Sequence, residues 1–541
     1  MLSNTQVNPG LNHNGDVKIT VGREMSTGYR LDCLLINPPF KFKVDSVWRG
    51  QRSEDPPLPL MALAAYIRTK NFTTKILDCD LVTPDIDEEF EAYFVAEFVN
   101  AGIEIGTFGL TTTTLTIYSS FKIARICKKY YPDSVMVFGG AHASFIPDES
   151  MDDENVDIVV IGEGETTLEE ILEGRDLNDI EGIVFKQKSP NGDKEVIKTG
   201  LRKRNKALDE LPMPAYDLID FKRYRPILGS FKRLPAMMMV SSRGCPWDCS
   251  FCRRPVGNML VVRSAQNIFE EIKYLSEEYG VKDIMFMDDT FTVVKKNVLN
   301  LCELLIESKL DVRWLCFARV DVVDVELLQK MKKAGCWQIM YGVENFNHGV
   351  LENIQKGIDV DQVFEAVSWT KKAGIECRIC MMVGNPGDTE EIINENIRLV
   401  KKLDPDLLVV NILTPFPGHD IFNWAKSKDL ITSYNWDDYY GAQPLMKLDT
   451  LTPEDIKRLY VKMITSFYFR PKYIFKKLIG IRSVLEVKLL MAGFLGIVGF
   501  AMERVRRMFV AKKEKLVEPE FEDLKEKALR LTTPTARTAI S

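Results

Sequence analysis

The stretch PAMMMVSSRGCPWDCSFCRRP, residues 235–255, decides how the chain is read. It starts as an apolar strand, AMMMV, and runs into a loop with three cysteines, Cys245, Cys249 and Cys252, spaced C-x3-C-x2-C. Three thiols this close ask for a metal. A structural zinc site wants four nitrogen or sulfur ligands, yet the nearest further cysteine, Cys302, falls in an expected helix and no histidine is near in sequence. Cubane iron–sulfur clusters are also held by thiolates, normally four, so three leave one iron free to bind a substrate or cofactor. A zinc site completed by a distant residue is the competing reading.

Downstream of this loop, strands and helices alternate. VKDIMFMDDTFT is a strand ending at Asp288-Asp289, and VRWLCFARVD one ending at Arg319. WQIMYGVEN ends at Glu344, IECRICMMVGNPGD at the turn Gly384-Asn385-Pro386-Gly387, and DLLVVNILTPFPG is the last. With the strand before the cysteines this makes six, each followed by a helical pattern, which predicts a partial parallel (β/α)6 barrel over residues 236–440. Chemistry in such barrels sits at the C-terminal strand ends. The cysteine loop, Asp288, Asp289, Arg319, Glu344 and Asn385 all fall there, with a solvated turn the plain alternative for the two aspartates.

Upstream, RLDCLLINPPF, TTKILDCD, EIGTFGLTTTT, VMVFGGAHASFIPDE and VDIVVIGEGETTLEEILEG alternate with helical segments. They predict a doubly wound, Rossmann-like parallel sheet over residues 31–200. Ligands of such sheets bind outside the carboxyl ends of the strands. The loops there carry Asn37 and Pro38, Thr111 and Thr112, Gly139, Gly140 and His142, and Gly162, Glu163 and Glu165. Small and hydroxyl residues at three of these ends would let a large flat ligand approach the backbone. Tight turns alone would also explain the glycines, and a lone loop histidine is more often structural. Residues 201–235 are polar and Pro-punctuated and read as a linker.

The rest of the chain bounds the class. The 541 residues are 45% hydrophobic and 27% charged, and the net charge of -6 argues against a nucleic-acid binder. Eleven cysteines, scattered apart from the cluster, suit a reducing cytoplasm rather than a disulfide framework. Residues 1–30 read as a polar, disordered lead and 526–541 as a disordered tail. Residues 445–525 read as a helical cap. Within it LLMAGFLGIVGFAM, residues 489–502, is apolar but shorter than the roughly 20 residues a spanning helix needs. With its basic flanks it suits an interfacial anchor over residues 484–510 at the cytoplasmic membrane; a buried helix is the alternative.

The C-x3-C-x2-C loop, with Phe251 before its last cysteine and at the end of a first barrel strand, resembles the radical S-adenosylmethionine enzymes. YGVEN and VGNPGD agree with that resemblance. It implies a [4Fe-4S] cluster on Cys245, Cys249 and Cys252, whose open iron chelates S-adenosylmethionine and cleaves it to methionine and a 5′-deoxyadenosyl radical. Phe251 and Glu344 would then lie by the cofactor, with Glu344 at its methionine or ribose and residues 384–387 near the adenine. INPPF, GGAHASFIPDE and DIVVIGEGETTLEEIL are similar to the cobalamin-binding domain that precedes the barrel in one subfamily. The Asp-x-His-x-x-Gly motif of many cobalamin domains does not occur here, so histidine ligation of cobalt is not expected.

These resemblances imply an enzyme that modifies an unactivated carbon of a hydrophobic, lipid-like or tetrapyrrole-like substrate, by methylation through methylcobalamin. Asp288, Asp289 and Arg319 are the catalytic candidates, and a flavodoxin or ferredoxin the expected reductant. A radical cyclase, oxidase or carbon–carbon coupling enzyme uses the same parts. A non-catalytic cobalamin or iron–sulfur sensor does not need the charged residues at the barrel mouth.

Overall fold

The computed structural model describes residues 29–40, 55–83, 86, 89–188, 194–224, 229–252 and 257–479. The lead before residue 29 and the apolar run 489–502 lie outside them, as does the remainder of the expected cap and tail.

The first sheet holds β1 (Arg30–Asn37), β2 (Thr74–Asp78), β3 (Glu104–Thr111), β4 (Val135–Gly139), β5 (Ile158–Val160), β6 (Ile183–Lys188) and β7 (Lys194–Lys198). Their order is β2-β1-β3-β4-β5-β6-β7. The first five are parallel, and they read as near-continuous apolar runs because helices cover both faces. The sequence reading missed β6 and β7, an antiparallel hairpin added at one edge. Its strands carry more charge, as an edge facing solvent on one side tolerates. The order 2-1-3-4-5 reverses between β1 and β3, which places the ligand crevice at the loops after those strands.

The second sheet is a partial barrel. Its strands are β8 (Ala236–Met239), β11 (Asp283–Phe286), β12 (Arg313–Ala318), β13 (Cys336–Glu344), β14 (Glu376–Val383) and β15 (Leu407–Ile412), all parallel and in chain order. Between β8 and β11 lies a two-residue ribbon, β9 (Ser242–Arg243) against β10 (Val261–Val262). Good helix starts punctuate the barrel: Ser264, Asp324 and Thr389 each cap the helix they precede by accepting from its third backbone N–H.

Alternation sorts the barrel side chains into two sets. Met237, Ile284, Phe286, Trp314 and Cys316 join the core beneath the outer helices. Met238, Met285, Leu315 and Trp337 point the other way and form a separate apolar cluster with Phe317 and Leu58. Leu58 begins the helix Leu58–Thr69 that follows β1, so the first domain reaches the inner face of the barrel. The open edge at β15 is covered by the helix Pro453–Tyr468: the Tyr468 hydroxyl donates to the Leu408 carbonyl at 2.7 Å and accepts from its N–H at 3.1 Å. Among the described residues no helix is long and apolar enough to cross a membrane.

Candidate functional site

The cysteine loop leaves the barrel through the β9–β10 ribbon, which closes its neck. Gly244, at φ +89°, lies against the Met259 backbone with no room for a side chain. The loop is docked at both sides: Ser250 N–H donates to the Ile354 carbonyl at 3.0 Å, and the Ser250 carbonyl accepts from Ile421 N–H at 3.0 Å. Cys245 and Cys249 are buried and Cys252 is half-buried. Burial pushes the Cys252 thiol up to about 12, with Asp289, Cys249 and Cys245 adding to it, and burial also raises Cys249.

Among the described residues no three histidine, cysteine or carboxylate side chains converge on a point as the ligands of a single ion do. A cubane asks for something else, one thiolate per iron, so its cysteines stand around the cluster rather than around an atom. Three thiols on one docked loop, with the cations of Lys356 and Arg319 beside Cys249, fit that requirement.

Those cations come from elsewhere in the barrel, the end of β12 and the turn at 356–357. Arg319, just past β12, is 4% exposed; its guanidinium stacks 4.4 Å over the Trp247 ring, approaches Cys249 Sγ at 3.8 Å, and donates to the carbonyls of Lys356 (3.0 Å) and Gly357 (3.2 Å). Asp321 pairs with it at 2.9 Å. Arg319 therefore builds the site by tying the cysteine loop to the 356–357 turn. Lys356, which the sequence reading missed, is buried, bonds Glu344 Oε1 at 3.0 Å and lies 5.6 Å over the Phe251 ring. Glu344 sits at φ +68°, a left-handed conformation costly for a glutamate. Gly342 makes room for the pair: a Cβ there would lie 2.5 Å from Glu344 Oε1 and 2.8 Å from Lys356 Nζ.

The turn after β14 is held by Asp388. Its Oδ2 accepts from the N–H groups of Gly384 (2.9 Å) and Asn385 (2.8 Å) and from Asn385 Nδ2 (3.0 Å), and Oδ1 accepts from Asn345 Nδ2 (2.9 Å). Burial lifts this carboxyl to about 6 against those stabilising bonds. The Pro386 carbonyl accepts from Asn353 Nδ2, and Gly387, at φ +90°, faces the same amide. Asn385 is fully buried; its Nδ2 braces the turn through the Met382 carbonyl and Asp388, while its Oδ1 has no hydrogen-bond partner among the described residues. Asp288 is likewise internal: it accepts from both Ser241 and Ser242 and anchors the strand end before the cysteines. Asp289 is exposed at the mouth beside Cys252.

In the first domain the expected contacts divide. Thr111, Pro38, Gly139, Gly140 and Gly162 border the crevice or lie near it, and Gly162 has nothing within 4 Å of where a Cβ would stand. That open, side-chain-free edge fits a large flat ring. Gly140, at φ +94°, has no such room, since a Cβ would meet the Thr112 backbone. Thr112 and His142, expected at the ligand, are fully buried instead. Thr112 donates to the Gly139 carbonyl at 2.8 Å. The His142 ring nitrogens meet Thr114 Oγ1 at 3.3 Å and Glu149 Oε2 at 3.2 Å, and Trp436 stacks edge-on at 5.5 Å. Neither nitrogen faces the crevice. Asn37 donates to Asp78 at 2.8 Å and serves the strand ends. Glu163 and Glu165 both bind Arg243, a residue of the barrel.

Comparison with known proteins agrees with this two-part site. The Radical SAM superfamily pattern matches residues 239–400 and the B12 binding domain pattern residues 52–172. An uncharacterised methyltransferase of Pyrococcus horikoshii is 33% identical over 453 residues, covering 82% of this chain and 94% of that one. The anaerobic magnesium-protoporphyrin IX monomethyl ester cyclase of Rubrivivax gelatinosus is 27% identical over 408 residues, covering 73% and 70%. Among solved structures, the radical S-adenosylmethionine methyltransferase TsrM of Kitasatospora setae, with cobalamin and a [4Fe-4S] cluster bound, shares the fold at a TM-score of 0.60 and 16% identity over 83% of this chain and 90% of that one.

Proposed function

The chain belongs to the radical S-adenosylmethionine enzymes that carry a cobalamin-binding domain, and from that premise we propose that it methylates an unactivated carbon of a hydrophobic substrate. The cofactors of this class, a [4Fe-4S] cluster, S-adenosylmethionine and cobalamin, supply radical generation and a transferable methyl group. The protein supplies holding, orientation and exclusion of water. In this reading Cys245, Cys249 and Cys252 hold the cluster, Glu344 and Lys356 present a fixed carboxylate and ammonium to S-adenosylmethionine, and the 384–388 turn offers it backbone groups. The Thr111, Gly139 and Gly162 edges border the corrin, and Asp289 at the mouth is the remaining candidate for substrate contact.

The observation that carries the substrate class is the inner face of the barrel. Met238, Met285, Leu315, Phe317 and Trp337 make it apolar, and Leu58 of the cobalamin-binding domain packs on the same cluster. A substrate held between the two domains meets hydrocarbon and aromatic surface. The Rubrivivax gelatinosus relative, a cyclase of a tetrapyrrole ester, points the same way. A flavodoxin or ferredoxin as electron donor, and a peripheral membrane contact through residues 484–510, complete the reading.

The test is anaerobic reconstitution with iron, sulfide and hydroxocobalamin, followed by incubation with a lipid extract and S-adenosylmethionine deuterated in its methyl group. A product carrying the intact labelled methyl is expected. A product that has lost hydrogens and gained no label would replace methylation by cyclisation or oxidation.

A further inference from the structure

The two cofactor sites are joined by one arginine. Arg243 forms β9 with Ser242 and stands two residues before Cys245, opposite Val261 of β10. Its guanidinium leaves the barrel and enters the loop after β5. Nη1 meets Glu163 Oε1 at 2.9 Å and Nη2 meets Glu165 Oε1 at 2.6 Å, with all three side chains largely shielded from water. The other Glu163 oxygen accepts from Asn205 N–H at 2.8 Å. Arg204, next in the linker, donates to the carbonyls of Met259 and Arg243. Thus the neck of the cysteine loop, the linker and the 162–165 turn form one part-buried polar network.

This network changes what the two glutamates do. Glu163 has both oxygens engaged within the protein, so its carboxylate has no lone function at a ligand. The open side of the turn is Gly162, whose Cβ position faces empty space. Whatever orders Gly162 from the crevice acts on the same four-residue turn whose carboxylates grip Arg243, and Arg243 is continuous with the cysteine loop. Two charge-assisted bonds from one planar guanidinium fix orientation as well as distance, which a lysine cannot do.

We propose that Arg243, clasped by Glu163 and Glu165, is a positioning residue that couples the two cofactor sites: ordering of residues 162–165 by a corrinoid stiffens the cysteine loop, and without the clasp the sites order independently. Coupling of this kind is reciprocal, so a filled cluster site also tightens corrinoid binding. The proposal rests on the chain taking up a corrinoid and not on the reaction being methylation.

Corrinoid uptake is measured first, by co-elution of hydroxocobalamin with the full-length, iron-free chain on gel filtration. Failure to co-elute overturns the corrinoid premise, and the proposal with it. Amide hydrogen exchange of the same chain is then followed by mass spectrometry with and without hydroxocobalamin. In wild type, exchange across 243–252 slows at least about fivefold, the low end of measured couplings between sites. In R243Q that response disappears while exchange in β1, β3 and β12–β14 stays at its wild-type rate, and R243K restores part of it. Persistence of the response in R243Q, or its absence in a wild type that retains the corrinoid, overturns the proposal. Should R243Q fail to fold, the double variant E163Q/E165Q, which keeps shape and removes charge, is read by the same criteria.

Discussion

Replacing Lys356 by methionine isolates the electrostatics of the site. The ammonium is buried, 3.0 Å from Glu344 Oε1, and both side chains are less than a tenth exposed. Methionine keeps most of the apolar stem against Phe251 and removes the charge. The Glu344 carboxylate is then left buried without its counter-charge, on a backbone at positive φ that holds it in place. Breaking a buried pair from one side costs about 3–5 kcal/mol, far more than the pair's net worth. A loss near the low end, ~3 kcal/mol in a domain of roughly 200 residues, lowers the melting temperature by roughly 6–12 °C.

The assay is thermal unfolding of the iron-free full chain, for K356M, E344Q and the double variant. Removing both charges leaves no stranded ion, so the double variant melts above K356M. Burial pulls the lysine down, but Glu344 and Cys249 outweigh it and leave the ammonium above its ordinary 10.5. A raised lysine contributes fully below its unfolded value and loses that contribution only as pH climbs past 10.5. The gap between wild type and K356M is therefore constant between about pH 6 and pH 9. A K356M protein that melts with wild type, or strictly additive losses in the double variant, would refute the argument.

Three further outcomes follow from the same geometry. Reconstituted chain binds about four irons, as a cubane requires, and C249A loses them; because burial raises the Cys249 thiol and lifts Cys252 to about 12, iron uptake displaces protons and its yield rises with pH, so a flat or falling profile by iron assay contradicts thiol ligation. D388N puts an amide N–H donor where a carboxylate oxygen accepted from buried N–H groups and costs about 1–3 kcal/mol; since the native carboxyl is lifted from 3.8 to about 6, wild type binds the extra proton when folded, and its margin over D388N narrows as pH rises through 6, which paired melts across that range measure. H142A leaves the cobalt(II) spin-resonance spectrum of the bound corrinoid without change in nitrogen coupling, because neither ring nitrogen faces the crevice; an imidazole coupling present in wild type and lost in the variant would contradict the fold of that loop.

Much of the fold was legible because parallel strands announce themselves. CLLI, IMF and WLCF are apolar at every position, as strands covered on both sides must be, and the helices between them repeat at helical spacing. The hairpin of β6 and β7 was not. IVFKQK and KEVIK mix charge with β-branched residues and so blur the strand pattern, and the Asn-Gly dipeptide of the intervening SPNGD, a hairpin signal in its own right, was passed over. The cysteines were legible because ligand spacing is local. Lys356 was not: IQKGI is an ordinary turn, and the lysine matters only because β13 ends on a glutamate at positive φ that needs a counter-charge twelve residues later.

The residues that looked most like ligands were those with short-range signatures, and several belong to the scaffold instead. Thr112 and His142 face inward because the glycine turn at Gly139-Gly140 crosses close over the end of β3, where Thr112 bonds the Gly139 carbonyl and the His142 N–H reaches the Thr112 carbonyl at 3.1 Å. Polar side chains buried at such a crossing must find partners within the protein, and that requirement turns them away from the crevice. The same rule read in reverse identifies Arg243. The largely shielded guanidinium beside the cysteine loop is satisfied by two carboxylates 80 and 78 residues earlier in the chain, which brings the 162–165 turn of the other domain into contact. The docking of the two domains is thus written in a charge that neither domain could bury alone.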